Sequence, residues 1–221
     1  MIQIQGHHTI ITNELVEQCI QENPGLYDKN GEYHYDIISA FIKSIRGSDP
    51  NAAIYYLVRM IKGGEDPTFI ARRLLILASE DIGLANPNAL LIANSCFQAV
   101  QVIGYPESEL ILAQTTIYLA TSVKSNSVLM ALIHAKGLIE KSPNLMVPLS
   151  LRNTPTRLMK DLGYGASYKY AHDYPGNFTL HEFLPDELSG QTIYAPQLNP
   201  REQEIKKYLH ALWKEKYKYS E

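Results

Sequence analysis

One stretch of the sequence, residues 152–170, carries the side chains that recognition of nucleic acid requires. Four cations are set there against a single acid, Asp161, and three tyrosines are interleaved with them. Cations neutralise phosphates, and tyrosine rings stack on unpaired bases. The stretch is therefore a candidate site for single-stranded or branched DNA, and Lys124 is a further candidate for the same patch. The residues concerned are Arg152, Arg157, Lys160 and Lys169, with Tyr164, Tyr168 and Tyr170.

The same residue types also have a purely structural interpretation. Arginines bond the free carbonyls at the C-terminal end of a helix, and tyrosine rings cover the edge of a core. Lys124 follows a helical pattern that ends near Thr121. A cation is favourable at the C-terminal end of a helix, and this is a sufficient reason for a lysine at that position. We favour the structural interpretation of the whole stretch and keep the DNA site as the alternative.

A second polar group lies between residues 72 and 81. Glu80 and Asp81 are adjacent, and neighbouring helical residues point about 100° apart, so the two carboxylates do not face one substrate as an acid/base pair. We predict instead that Glu80 or Asp81 pairs with Arg72 or Arg73. Such pairs act as polar locks between helices, which fix their register and perform no catalysis.

Several motifs that would indicate catalysis or ligand binding are absent from the sequence. No GxxxxGK[ST] occurs, so the phosphate-binding loop of P-loop ATPases is missing. A calcium loop starting at Asp28 would need glycine at its sixth position, where Tyr33 stands, and we predict a turn there. The seven histidines form neither HExxH nor a zinc-type cluster. We therefore assign no catalytic, cofactor-binding or metal-binding residue.

Hydrophobic residues recur at helical spacing through the first 140 residues. A stripe from Leu15 to Ile20 follows a predicted N-cap at Thr12, and a second stripe from Ile37 to Ile45 ends before Gly47. Three further helix starts place a capping residue before proline, at Asp49-Pro50, Asp66-Pro67 and Asn86-Pro87. The periodicity then predicts helices over 88–103, 107–121 and 125–140. Runs such as 90–93 and 110–113 are apolar at almost every position, which predicts burial on several sides.

The sequence changes character after Pro143, where proline, glycine and tyrosine become frequent. This texture predicts loops and short helices, with a short strand near Thr192–Tyr194. A last amphipathic helix is predicted from Arg201; its apolar face comprises Ile205, Tyr208, Leu209, Leu212 and Trp213.

Composition sets the broad class of the 221-residue chain. Hydrophobic residues make up 45% and charged residues 19%, which is ordinary for a globular protein, and no apolar run is long enough to span a membrane. The formal net charge of −3 gives no global attraction to nucleic acid, so any DNA contact must be local. Two isolated cysteines, Cys19 and Cys96, within apolar patterns are typical of buried thiols and suit a reducing cytoplasm.

Two long blocks of the sequence resemble the C-terminal region of the MgsA/RarA family of AAA+ ATPases. The first, from His34 to Gly83, includes HYDIISAFIKSIRGSDPNAAIYYLVRM and EDPTFIARRLLILASEDIG; the second is VPLSLRNTPTRLMKDLGYGASYKYAHD, from Val147 to Asp173. The resemblance implies an all-α bundle similar to a clamp-loader collar, with a loop-rich C-terminal third. It divides the chain into an AAA-associated segment, 1–87, and an MgsA-type oligomerisation domain, 88–221, packed as one unit.

The resemblance also implies a function. We expect a non-catalytic collar of an ATPase that acts in replication-fork maintenance, recombination and DNA repair, with direct DNA binding through residues 152–170 as the alternative and a stand-alone helical hydrolase ranked last. ATP and Mg²⁺ are expected in an N-terminal half that this segment lacks. The expected partners are further copies of the chain in a homo-tetramer, DNA, and replication proteins such as single-strand-binding protein, in the cytoplasm at the nucleoid and away from membranes.

Overall fold

A computed structural model of the chain describes residues 3–5, 8–10 and 32–219. At the N-terminus, strands β1 (Gln3–Gln5) and β2 (His8–Ile10) pair antiparallel, with Ile4 opposite Thr9. The sequence did not predict this short hairpin. The predicted cap at Thr12, the stripe from Leu15 to Ile20 and the turn at Asp28 lie outside the described residues.

The chain divides into two compact units, residues 1–126 and residues 127–221. Described helices of the first unit are α1 (Glu32–Arg46), α2 (Pro50–Lys62), α3 (Pro67–Leu77), α4 (Asn88–Ile103) and α5 (Ser108–Thr121). Helix α5 is the central element of this unit, because it contacts α1, α2, α3 and α4. The division at residue 87, which the resemblance implied, stays a prediction.

Local capping chemistry determines where α2 and α3 begin. The Asp49 carboxylate accepts hydrogen bonds from the backbone N–H groups of Asn51 and Ala52, both at 3.0 Å, and Pro50 occupies the first helical position. Asp66 accepts likewise from the N–H of Thr68 at 3.0 Å. A carboxylate there satisfies amides that have no partner within the helix. Both predicted helix starts are confirmed.

Asn86 does not cap α4, although the sequence suggested that it would. Helix α4 begins after Pro87 without a side-chain cap, and the Asn86 amide donates instead to the Tyr118 hydroxyl at 2.8 Å and to Ser122 Oγ at 3.2 Å. Asn86 therefore ties the start of α4 to the end of α5. The Asn-Pro pair in the sequence does not distinguish an asparagine that caps the next helix from one that bonds a distant side chain.

The core of the first unit is built from one apolar face of each helix. Phe41 and Ile45 of α1 are 1% and 0% exposed, and Leu74 of α3 and Leu112 of α5 are both fully buried. Burying a side chain of this size contributes roughly 1.5–3 kcal/mol. Cys96 is a buried free thiol, as predicted, and burial raises its pKa.

Between α3 and α4 the backbone leaves regular α-helical geometry. A π-helical turn, Ala78–Ile82, continues α3, and a 3₁₀ turn, Gly83–Ala85, leads towards α4. Gly83 adopts φ 48° and ψ −128°, which glycine tolerates far better than any residue with a side chain. The Asp81 carbonyl accepts a hydrogen bond from the Ser125 N–H at 2.7 Å. The turn thus brings Asp81 next to the segment that follows α5.

The second unit contains three described α-helices, α6 (Ser127–Lys141), α7 (Arg157–Asp161) and α8 (Pro200–Trp213). The 3₁₀ turns are Leu149–Leu151, Ala171–Asp173, Pro175–Asn177, Asp186–Leu188 and Lys214–Tyr217. This confirms the predicted loop-rich texture.

The strand predicted near Thr192–Tyr194 is wrong, because the structure has no strand there. Thr192 Oγ1 donates to the Tyr217 carbonyl, and the Tyr219 hydroxyl donates to the Tyr194 carbonyl at 3.2 Å. Side chains from the C-terminal segment therefore bond this stretch in place of a neighbouring strand.

The fold class is all-α, as the sequence predicted. In the ranges 3–5, 8–10 and 32–219, no helix has both the length and the apolar character needed to cross a membrane.

Candidate functional site

Arg152, the first cation of the predicted DNA site, makes contacts within its own unit. Its Nε donates to the Val147 carbonyl at 2.7 Å, and its terminal nitrogen lies 3.3 Å from the Tyr164 hydroxyl. The guanidinium carbon also lies 5.1 Å from the centre of the Tyr164 ring. Arg152 and Tyr164 thus stabilise the loop that carries them, although the carbonyl that Arg152 contacts belongs to a loop and not to the end of a helix.

The other three cations of the stretch are exposed. Arg157 and Lys160 are exposed on α7, three residues apart and therefore on neighbouring positions of one helical face. Helix α7 is capped by Thr156, whose hydroxyl accepts from the Met159 N–H at 3.3 Å. Lys169 is also exposed, and it follows Gly163 and Gly165 in the sequence. Within residues 32–219 none of these three side chains forms a salt bridge.

Lys124 belongs to the first unit, where its ammonium is saturated by hydrogen bonds. Nζ donates to the carbonyls of Ala120 at 3.0 Å and Ser122 at 2.6 Å, and to Ser48 Oγ at 3.0 Å. Burial lowers the pKa of Lys124, and the nearby Asp81 carboxylate opposes that shift. This geometry is that of a cation at a helix end, so the structural interpretation accounts for Lys124.

The acidic pair Glu80 and Asp81 bonds a different arginine from the one predicted. Arg46, the last residue of α1, donates from Nε to Asp81 and lies 3.2 Å from Glu80 Oε1. The hydrogen bond to Asp81 raises the pKa of Arg46, against a smaller opposing effect of burial. The ion pairs join α1 to the π-helical turn after α3.

Arg72 and Arg73 are not the partners of this pair, which corrects the sequence prediction. Arg72 lies 3.8 Å from Asp66, and both of these side chains are about half exposed. Arg73 Nε is buried without a hydrogen-bond partner among the residues that the structure describes. Sequence reasoning missed Arg46 because it is 34 and 35 residues away from its partners, and only its position in the last turn of a predicted helix marked it.

Helix α6 carries several large apolar side chains that are exposed in the part of the chain that the structure describes. Only Ser127 of its fifteen residues is buried. Five large apolar side chains are exposed; they are Val128 (42%), Met130 (51%), Leu132 (53%), Ile133 (52%) and Ile139 (63%). A helix that is apolar on most sides is normally buried, so the exposed side chains of α6 are a candidate for an interaction surface.

Apolar residues of α4 and α5 that were predicted to be buried are also exposed. Leu90 and Leu91 are 45% and 65% exposed, and Leu110 is 76% exposed. The prediction failed because continuous apolar sequence does not distinguish a core position from an interface position. No group of His, Cys, Asp or Glu side chains that could hold a metal ion occurs among the described residues.

Comparison with known proteins gives a consistent result over nearly the whole chain. Residues 47–213 match the family model described as MgsA AAA+ ATPase C terminal, and residues 2–46 match the model described as AAA C-terminal domain.

Among similar proteins, an uncharacterised protein of Thermotoga maritima is 50% identical over 84% of this chain and 30% of its own length. Replication-associated recombination protein A of Coxiella burnetii is 43% identical over 90% of this chain and 46% of its own length. The ATPase WRNIP1 of Dictyostelium discoideum is 39% identical over 86% of this chain and 22% of its own length. The chain thus spans less than half the length of these relatives.

Proposed function

The chain belongs to the MgsA family of AAA+ ATPases and matches the C-terminal region of that family, and from this premise we propose that it is the collar through which the subunits associate. The single observation that carries the proposal is the exposed apolar surface of α6. Relatives of the chain are named replication-associated recombination proteins, so we place the collar in an ATPase that acts in replication, recombination and repair.

The composition of α6 favours a second copy of the chain as its occupant. From Val128 to Ile133 the helix has no charged residue, and its charges, Lys136, Glu140 and Lys141, lie near its C-terminal end. Depletion of charge at an apolar centre with charges at the edge is typical of the interfaces of homo-oligomers. In the same unit the loop residues Met146 and Val147 are 67% and 55% exposed, which adds apolar area.

A tetramer is the assembly that we propose, with ATP and Mg²⁺ held by a nucleotide-binding region outside this chain. A collar must hold subunits together while nucleotide sites open and close, so its interfaces need roughly 1,000 Å² or more of buried surface. Replication proteins such as single-strand-binding protein are proposed as partners of the whole protein.

A pair of substitutions on α6 tests the collar directly. Leu132→Asp and Ile133→Asp each place a charge within the apolar surface, and we expect either to dissociate the oligomer, as measured by light scattering. Lys207→Asp is the control, because Lys207 is exposed and charged on α8, outside the apolar surface of α6. An oligomer that survives both apolar substitutions with unchanged mass contradicts this interface.

A second candidate function is binding of single-stranded or branched DNA by three cations of the 152–170 stretch. Arg157, Lys160 and Lys169 support it, because they are exposed and have no ion-pair partner in the described part of the chain. Simultaneous reversal to glutamate should weaken DNA binding and flatten its dependence on salt. Simultaneous reversal of three other exposed cations, Arg201, Lys207 and Lys214, is the control, because it changes the net charge by the same amount. An equal loss from that variant would show that the effect is only one of net charge.

A further inference from the structure

Three rings from two segments of the second unit form a connected row, which we call the ring strip and define as Tyr168, His181 and Phe183. The centres of the Tyr168 and His181 rings are 5.9 Å apart at 88°, and those of His181 and Phe183 are 5.2 Å apart at 72°. Tyr168 is 50% exposed and Phe183 is 45% exposed. Large aromatic surfaces are normally covered in a folded protein, so a row that remains half open is available for a ligand.

Contacts from other segments hold the ring strip in place. Ser150 Oγ lies 3.1 Å from His181 Nε2, and Phe183 packs edge-to-face on Trp213 with ring centres 6.2 Å apart. Lys216 donates from Nζ to the His181 carbonyl at 3.1 Å. The rings are therefore ordered before any ligand arrives, which reduces the entropy lost on binding.

The charges beside the ring strip are suited to an anionic ligand. Glu182 lies between His181 and Phe183 in the sequence. It forms an ion pair with Lys216, whose Nζ lies 3.1 Å from Glu182 Oε1. It also accepts from the Leu184 N–H at 3.0 Å and from the Ser189 hydroxyl. Lys169, next to Tyr168 in sequence, is exposed and has no salt bridge within residues 32–219. Of the two charged residues that adjoin the rings in sequence, the acid Glu182 is therefore paired and the cation Lys169 is not.

We propose that the ring strip stacks unpaired bases of a single-stranded nucleic acid, with Lys169 as the cation that meets its phosphates. This inference rests on the second proposed function and adds the residues that would recognise the bases. Half-open rings beside a cation match a chain that alternates planar bases with anionic phosphates, and stacking accepts any base because each has a π-face. Of the strip, only Tyr168 was part of the site predicted from the sequence.

The test measures fluorescence anisotropy of a labelled thymidine oligonucleotide with the whole 221-residue chain. Tyr168→Ala and Phe183→Ala should each weaken binding about 5- to 100-fold, the range expected for loss of one base–ring stack. Tyr168→Phe should bind like the parent chain, since it keeps the ring. Tyr208→Ala is the matched control, because Tyr208 is 63% exposed on α8 and takes part in none of the ring contacts of the strip.

Two further measurements distinguish the loss of a stacking ring from a failure of the variant to fold. An abasic oligonucleotide of the same length should bind the parent chain and the alanine variants alike, because it has no base to stack. Photocrosslinking of a bromouracil oligonucleotide to the parent chain should map to peptides that contain Tyr168 or Phe183. Crosslinks confined to other peptides overturn the proposal even if an alanine variant fails to fold.

The outcomes separate this inference from the function on which it rests. If the alanine variants bind like the parent while reversal of Arg157, Lys160 and Lys169 abolishes binding, the ring strip is wrong and the cationic site stands. If neither set changes binding, both are wrong. Light scattering on Phe183→Ala should show the parent mass, because the ring strip shares no residue with the apolar surface of α6.

Discussion

Arg46 links two parts of the chain that its sequence keeps far apart. It is the last residue of α1 and also the last residue of the segment that matches the AAA C-terminal domain, whereas Glu80 and Asp81 lie within the segment that matches the MgsA C terminus. The Asp81 side chain is only 9% exposed, and Arg46 is its ion-pair partner. Arg46 therefore fixes the end of α1 against the π-helical turn.

Loss of this ion pair should destabilise the first unit. Arg46→Ala leaves the buried Asp81 carboxylate without its arginine, and we expect a loss of roughly 1–3 kcal/mol in the free energy of unfolding, measured with urea. Arg72→Ala is the control, because its pair with Asp66 is exposed and should contribute no more than about 0.5 kcal/mol. Equal losses in the two variants would show that the Arg46 ion pairs stabilise the fold no more than an exposed pair does.

Glu182 should make the stability of the second unit depend on acid pH. Burial alone would raise the pKa of Glu182, but hydrogen bonds from Ser189, Leu184 and Lys216 together hold it below its usual value of 4.5. A carboxyl group with a lowered pKa in the folded state stabilises the fold above its unfolded pKa and loses that contribution as pH falls. We therefore expect the stability difference between the parent chain and Glu182→Gln to be full at neutral pH and to shrink below about pH 4.5. A difference that is constant between pH 7 and pH 3 would contradict this.

At the scale of the element, local signals predicted most helices correctly. Asp49 and Asp66 precede prolines and do cap α2 and α3, because an N-cap requires only residues that are close in sequence. Features that depend on distant partners could not be predicted. Asn86 bonds Tyr118 and Ser122 across more than thirty residues. The apolar runs 90–93 and 110–113 were predicted to be buried, although Leu91 and Leu110 are exposed.

The cap at Asp49 gives a test at this scale. Asp49→Ala removes the acceptor for two backbone amides of α2, and we expect the free energy of unfolding to fall by about 0.5–2 kcal/mol. Asp49→Asn should recover most of the loss, because its side-chain oxygen still accepts these bonds. Thermal or urea denaturation measures both variants, and an alanine variant as stable as the parent would show that the cap is dispensable.

At the scale of the whole molecule, the family and the all-α class were predictable, whereas the binding surfaces were only partly so. The 152–170 stretch predicted Arg157, Lys160 and Lys169 as DNA-binding residues, and because all three are exposed they remain candidates. Arg152 and Lys124, by contrast, donate hydrogen bonds to backbone carbonyls of the chain itself. His181 and Phe183 were missed, because a histidine and a phenylalanine in a loop form no sequence motif. Only the fold places them in a row with Tyr168.

The proposed collar holds subunits together, so the mass of the chain in solution decides whether the proposal is right. Light scattering coupled to size-exclusion chromatography should be run on the isolated chain from about one to one hundred micromolar. We expect a mass near four times that of the 24.9 kDa chain at the higher concentrations, because the exposed apolar side chains of α6 should be buried between copies of the chain. A mass of one chain across the whole range would contradict it.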